Sequence, residues 1–159
     1  KQLISTGADA VKIEGNKTEI IGAIINEGIP VMGHVGLLPQ TTETFRVRGR
    51  KEREANQILE DAISLEQVGC FAVVLECIPN PVAERITESL SIPTIGIGAG
   101  ASCDGQVLVI HDLIGLFDRF RPSFAKQFTN VKKEILRAVE SYKFEVQQET
   151  FPDADHSYE

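Results

Sequence analysis

The chain has 159 residues, of which 42% are hydrophobic and 25% charged, the balance of an ordinary globular protein with one sizeable core. Its formal charge of −7 repels phosphate on average and argues against a nucleic-acid partner, although Arg46, Arg48, Arg50, Lys51 and Arg53 form a local basic patch. No apolar run approaches the ~20 residues that span a bilayer, and the opening KQLISTGADA lacks the pattern of a secretory signal.

In chain order, KQLISTG reads as the end of a helix, and the first short apolar run follows at Ala10–Glu14. Four more such runs lie at Pro30–Val35, Phe71–Cys77, Pro93–Ile97 and Val107–His111. None alternates polar and apolar residues, which suits parallel strands covered on both faces. The fifth run, VLVIH, is short enough to be either a strand or a helical turn, and a strand is the preferred reading.

Helical periodicity fills the gaps. Thr18–Asn26 carries Ile20, Ile21, Ile24 and Ile25 and stops at Gly28. Glu52–Val68 carries Ile58, Leu59, Ala62, Ile63, Leu65 and Val68 and stops at Gly69. Pro81–Leu90 opens with a proline in the first turn. Strand and helix alternate as in successive βα units of one domain. After Asp112 the segment IGLFDRFRPSF is aromatic and irregular, Val131–Gln148 is an amphipathic helix, and the tail TFPDADHSYE reads as polar and loosely held.

In βα proteins the functional groups collect where strands end. Here those ends read KIEG at 12–15, GHVG at 33–36, LECIP at 75–79 and GIGAG at 96–100. Lys12 and Glu14 share one side of their strand, because side chains alternate. Each feature has an ordinary explanation: a local ion pair for Lys12 and Glu14, a satisfied core imidazole for His34, close packing for Gly96, Gly98 and Gly100. Glu76 is harder to explain so, because four apolar residues, Ala72–Leu75, carry it into the fold. The glycines otherwise suit close approach of backbone to a carboxylate or phosphate. One lysine, two carboxylates and one imidazole together suit proton abstraction beside a carbonyl, with a cation or metal holding the enolate. The widely spaced Cys70, Cys77 and Cys103 read as reduced structural thiols.

The stretches VKIEG at 11–15, GHVGLLPQ at 33–40, VRGR at 47–50, LECIP at 75–79, IPTIGIGAG at 92–100, CDGQVLVIHD at 103–112, PSFAKQF at 122–128 and the closing HSYE occur in order along the whole chain. In these the sequence resembles the 3-methyl-2-oxobutanoate (ketopantoate) hydroxymethyltransferase family. The resemblance implies an α/β (β/α)₈ TIM barrel of the phosphoenolpyruvate/pyruvate superfamily. Residues 1–159 would supply its C-terminal part, about strands 4–8, with strand ends at 11–15, 31–36, 72–77 and 94–100 and a C-terminal helical region at 122–148. A whole barrel usually needs ~250 residues.

It also implies hydroxymethyl transfer from 5,10-methylenetetrahydrofolate to 3-methyl-2-oxobutanoate, giving 2-dehydropantoate in pantothenate biosynthesis. The implied enzyme is Mg²⁺-dependent, cytoplasmic and homo-oligomeric, often decameric. Lys12 then matches the lysine that binds the keto acid, Glu14 the carboxylate that holds a metal-bound water, His34 the active-site histidine and Glu76 the catalytic base. The loop Leu37–Arg50 is long enough for a lid, and its arginines either meet the glutamate tail of the folate or form a solvated patch. That loop is a few residues shorter than the family pattern, which lacks here its usual Gly-Gly pair. The family's two metal-ligating aspartates and a carboxylate-binding serine would lie before Lys1, so the piece alone is expected to be inactive. The competing readings are another carbon–carbon lyase or mutase of the superfamily, and a non-catalytic barrel fragment kept for assembly.

Overall fold

The computed structural model describes residues 2–117 and 119–158; Lys1, Asp118 and Glu159, and so the last residue of HSYE, lie outside the described residues. It divides into two compact units, Lys1–Val107 and Leu108–Glu159.

The first unit is built of βα repeats. A short helix α1 (Gln2–Ser5) leads to strand β1 (Val11–Lys12), followed by α2 (Thr18–Asn26), β2 (Val31–Gly36), α3 (Glu52–Gln67), β3 (Ala72–Glu76), α4 (Asn80–Ser89), β4 (Thr94–Ile97) and β5 (Gly105–Gln106). The strands form one parallel sheet in the order β1-β2-β3-β4-β5, so that each strand lies beside the next in the chain. That order is the one a (β/α) barrel requires. Beyond the two residues of β1, the ladder with β2 continues through the amides of Ile13 and Gly15, which donate to the carbonyls of Met32 and His34.

The register sorts the side chains between two faces. Met32 pairs with Ala72, His34 with Val74, Gly36 with Glu76, and Glu76 with Ile97. Paired residues of a parallel sheet share a face, so Lys12, His34, Val74 and Glu76 stand on one side. The opposite side carries Val31, Val35, Val73 and Leu75, which pack into a buried core with Ile21 of α2, Ala55, Ile58, Ala62 and Leu65 of α3, and Val82, Ala83 and Ile86 of α4. This explains the missing alternation in the strand sequences: one face needs apolar residues for the helices, and the other carries Met32, Ala72 and Val74 toward the strand starts before it turns polar at the C-terminal ends. Gly33 lies on the helix side, where an added Cβ would stand 2.9 Å from Leu65 Cδ1.

Two sequence expectations are corrected. The apolar run Val107–His111 is not the fifth strand. The strand is Gly105–Gln106, paired with Ile95 and Gly96, and residues Ile110–Leu113 form a helical turn, α5. Val107 still donates to the carbonyl of Gly96, but beyond it the backbone turns to local i→i+4 bonds such as Leu113 to Val109. The run past Val107 closes its backbone hydrogen bonds locally, and a short apolar segment of this kind suits either element. The tail, expected to be loose, is also ordered. Residues Ala154–His156 form a 3₁₀ turn capped by Asp153, and Phe151 packs edge-on against Tyr142 at 5.5 Å. The phenylalanine hidden in a polar tail supplies that anchor.

In the second unit, α6 (Val131–Gln147) is capped by Asn130, whose side chain accepts from the Lys133 amide. Its apolar residues Ile135, Val139, Tyr142 and Val146 are exposed. Among the described residues, no helix is long and apolar enough to cross a membrane.

A polar clasp joins β4 to the approach of β5. Asp104 Oδ2 accepts from the Thr94 amide at 2.8 Å and from the Thr94 hydroxyl at 3.0 Å, and the Thr94 oxygen lies 2.9 Å from that of Thr87. The Thr94 amide and hydroxyl hold the Asp104 carboxyl below the ordinary aspartate range, against a smaller opposing push from burial. The stabilisation is therefore present above the pKa of the unfolded chain and is lost as pH falls through the folded value. Urea unfolding across an acid series should show a shallower loss of stability for Asp104→Asn than for the parent chain.

Candidate active site

At the C-terminal end of the sheet four ionisable side chains meet. Lys12 Nζ lies 2.9 Å from His34 Nδ1 and 3.7 Å from Glu14 Oε1. His34 Nδ1 is 3.8 Å from the same Glu14 oxygen, and His34 Nε2 is 3.3 Å from Glu76 Oε2. Three adjacent strand ends thus bring together residues separated by up to 64 positions, all on the face away from the helices.

The imidazole is the centre of this row, with His34 only 2% exposed. An ammonium group has no lone pair, so Lys12 donates and Nδ1 accepts. In the tautomer that accepts this bond at Nδ1, the ring hydrogen sits on Nε2. That N–H is buried and has no aligned acceptor among the described residues; the Glu76 oxygen is within reach but out of line. A buried donor without a partner costs about 1–3 kcal/mol, a cost that a ligand atom placed before it removes. The prediction is a ¹⁵N spectrum of His34 showing a bare Nδ1 and a protonated Nε2, and loss of that single tautomer in Lys12→Met.

Glu14 is buried and already engaged. Its Oε2 accepts the Gln40 amide at 3.1 Å, which ties the start of the 37–50 loop to the end of β1. Glu76 is 15% exposed in its side chain, beside the imidazole. The carboxylate that sequence places in the middle of an apolar run therefore stands at the rim, where it reaches both protein and solvent.

Magnesium needs about six oxygen ligands in near-octahedral array. Among the described residues no three His, Cys, Asp or Glu side chains group to hold a metal ion. Glu14, with one oxygen on an amide and the other facing Lys12, does not make a metal site with these residues.

The glycines of GIGAG serve packing at two of their three positions. A Cβ at Gly96 would meet Cys103 Sγ at 2.9 Å, and one at Gly100 would stand 2.0 Å from Asn80 Oδ1. That oxygen accepts from the Ala101 amide and the Ser102 hydroxyl, so Asn80 clamps the loop after β4. Asn80 and Gln40 were invisible to sequence reasoning, since neither a helix-opening asparagine nor a backbone amide announces its distant partner. The three cysteines are free, and burial raises each thiol above its ordinary range, with Glu76 adding to the rise at Cys77. Raised thiols are poor nucleophiles, which leaves the carboxylates and the imidazole as the reactive groups. Of the basic patch, Arg46 and Arg48 pair with Glu54, while Arg50, Lys51 and Arg53 are exposed.

A parallel βα sheet with a lysine, a histidine and two carboxylates at its strand ends has the layout in which α/β enzymes collect their functional groups. The family model described as ketopantoate hydroxymethyltransferase matches residues 1–154, and the chain belongs to that family. It is 55% identical over 157 residues to the 3-methyl-2-oxobutanoate hydroxymethyltransferase of Moorella thermoacetica, covering 96% of this chain and 58% of that enzyme. It is 50% identical to the enzyme of the same name from Syntrophus aciditrophicus, covering 98% of this chain and 59% of the relative, and 49% identical to that of Nitrosopumilus maritimus, covering 95% and 56%. The chain thus spans less than two thirds of the length of these curated relatives.

Proposed function

We propose that this chain forms the C-terminal part of a (β/α)₈ hydroxymethyltransferase that moves a one-carbon unit from 5,10-methylenetetrahydrofolate to 3-methyl-2-oxobutanoate, giving 2-dehydropantoate. The observation that carries this reading is the row Lys12–His34–Glu76, with a buried His34 Nε2 that lies 3.3 Å from the Glu76 carboxylate and lacks an aligned acceptor.

Lys12 supplies a point charge for the carboxylate or the developing enolate of the 2-oxo acid. His34, fixed by Lys12, offers its Nε2 hydrogen to a substrate oxygen. Glu76 takes the proton from C3, and the electron pair of that C–H bond passes into the enolate. Water adds to the donor's one-carbon unit as its two C–N bonds break, the water protons passing to N5 and N10 of the departing tetrahydrofolate; C3 of the enolate then bonds to that carbon, and the resulting alkoxide takes back the proton held by Glu76. Glu14 would hold a water of a magnesium shell whose other ligands come from outside the described residues. The cytoplasm and a homo-oligomer are the expected setting.

Two measurements test the reading. Calorimetric titration of the complete enzyme with 3-methyl-2-oxobutanoate should show binding that Lys12→Met weakens by about tenfold or more, the loss of a charge-assisted contact; equal affinity in both proteins would refute the role of Lys12. The 159-residue chain alone, mixed with Mg²⁺, the oxo acid and the folate donor, should show no turnover. Normal turnover would contradict the view that ligands from outside the chain are required.

A further inference from the structure

Glu76 is followed by a backbone irregularity. Cys77 is a non-glycine residue with φ of 50°, in the left-handed region that costs such residues about 1–2 kcal/mol. Three neighbours hold this turn. The Leu37 amide donates to the carbonyl of Glu76 at 2.8 Å, the Cys77 amide donates to the carbonyl of Ile97 at 2.9 Å, and the Arg48 amide donates to the carbonyl of Cys77 at 2.8 Å. The first two come from the ends of adjoining strands. The third comes from a loop with no regular structure, so something else must fix Arg48.

That fixture is Glu54 in the first turn of α3. Its Oε1 is 2.6 Å from Arg48 Nε and 3.5 Å from an Arg46 Nη. Gly49 itself packs close to α3, with room for a Cβ only 3.1 Å from Ile58 Cδ1. Burial pushes the Glu54 carboxyl upward, but the Gly49 amide, Arg48 and Arg46 together outweigh it and hold the group below the ordinary glutamate range. An exposed ion pair contributes little. Here Arg48 Nε is buried and, although only 2.6 Å from Glu54 Oε1, has no aligned acceptor, so the carboxylate serves it as a counter-charge whose removal leaves a buried cationic edge uncompensated.

We propose that Glu54 is a positioning residue for the Glu76 carboxylate: it fastens Arg46 and Arg48 to the start of α3, and the Arg48 amide in turn holds the left-handed turn at Cys77 that directly follows Glu76. The functional part rests on the reading of Glu76 as the base. The latch itself is a property of the chain and is measurable without turnover.

The test compares the parent, Glu54→Ala, the milder Glu54→Gln, and the charge-swapped pair Arg48→Glu with Glu54→Arg. Both single variants should show faster tryptic cleavage after Arg46 and Arg50 and about tenfold faster exchange of the Cys77 amide, with Gly96 in β4 unchanged, because the opening is local. In the complete enzyme, kcat should fall about tenfold while KM for the oxo acid stays within about twofold, the pattern of an interaction felt in the transition state alone. The swapped pair should recover part of both effects. Unchanged Cys77 exchange in Glu54→Gln, or faster exchange with unchanged kcat, would overturn the proposal. Should Glu76→Gln keep full turnover, the base reading fails, and the Cys77 exchange still decides the latch.

Discussion

In the complete enzyme, Glu76→Gln should lower kcat by about 10²–10⁴, the usual contribution of a positioned general base. Binding of 3-methyl-2-oxobutanoate should change by less than about threefold, since Lys12 and the His34 N–H remain. Glutamine keeps the length of the side chain and an oxygen near His34, so the substitution removes the basic group with little change in shape. The side chain stands at the end of β3, in register with Gly36 on one side and Ile97 on the other. Steady-state kinetics with a parallel binding titration separates the two effects. A loss confined to KM would assign Glu76 to substrate binding instead.

The largest effect on stability is expected from Gly36→Ala. Gly36 has φ of +93°, and an added Cβ would stand 2.3 Å from the carbonyl oxygen of Glu76 and 2.8 Å from Ile78 Cγ2. The backbone conformation alone costs a side chain about 1–2 kcal/mol. The oxygen is a backbone atom already bonded to the Leu37 amide, so it cannot yield without opening the join between β2 and β3. A total of about 3–4 kcal/mol follows for strain and clash together. Gly28→Ala is the control: its φ is +77° but nothing lies within 4 Å of the added carbon, so only the conformational cost of about 1 kcal/mol applies. Urea unfolding of the two variants should separate them by at least about 2 kcal/mol. Equal losses would mean that the turn beside Glu76 relaxes freely, which would also weaken the argument for a rigidly held carboxylate.

Much of the fold was legible because its signals are local. The isoleucines at 20, 21, 24 and 25 mark α2, whose observed span Thr18–Asn26 coincides with the expected one. The apolar runs before His34, Glu76 and Ile97 mark inner strands that gain pairing on both sides, so sequence and structure agree within a residue or so. The run at 107–111 was misread because so short an apolar segment fits strand and helical turn alike, and the tail because Phe151 finds Tyr142 across the end of a helix. At the site, residue identity and strand position were enough to name Lys12, Glu14, His34 and Glu76. Parallel register then brings their tips together. The supports were not legible. Glu54 reads as an acid favouring a helix N-terminus, which it also is, and nothing local reveals that it grips Arg48. For the GIGAG glycines, close packing and approach to an anion were equally readable, and at Gly96 and Gly100 it is packing, against Cys103 and Asn80, whose partners no local pattern reveals.

Hydrogen exchange at C3 of 3-methyl-2-oxobutanoate in D₂O, followed by proton NMR with the complete enzyme and no folate donor, isolates the step assigned to Glu76. The C3 proton signal should disappear and the methyl doublet collapse to a singlet with the parent enzyme, while Glu76→Gln leaves both intact over the same time. Deuterium entering C3 equally fast in the two proteins would contradict the account at its centre.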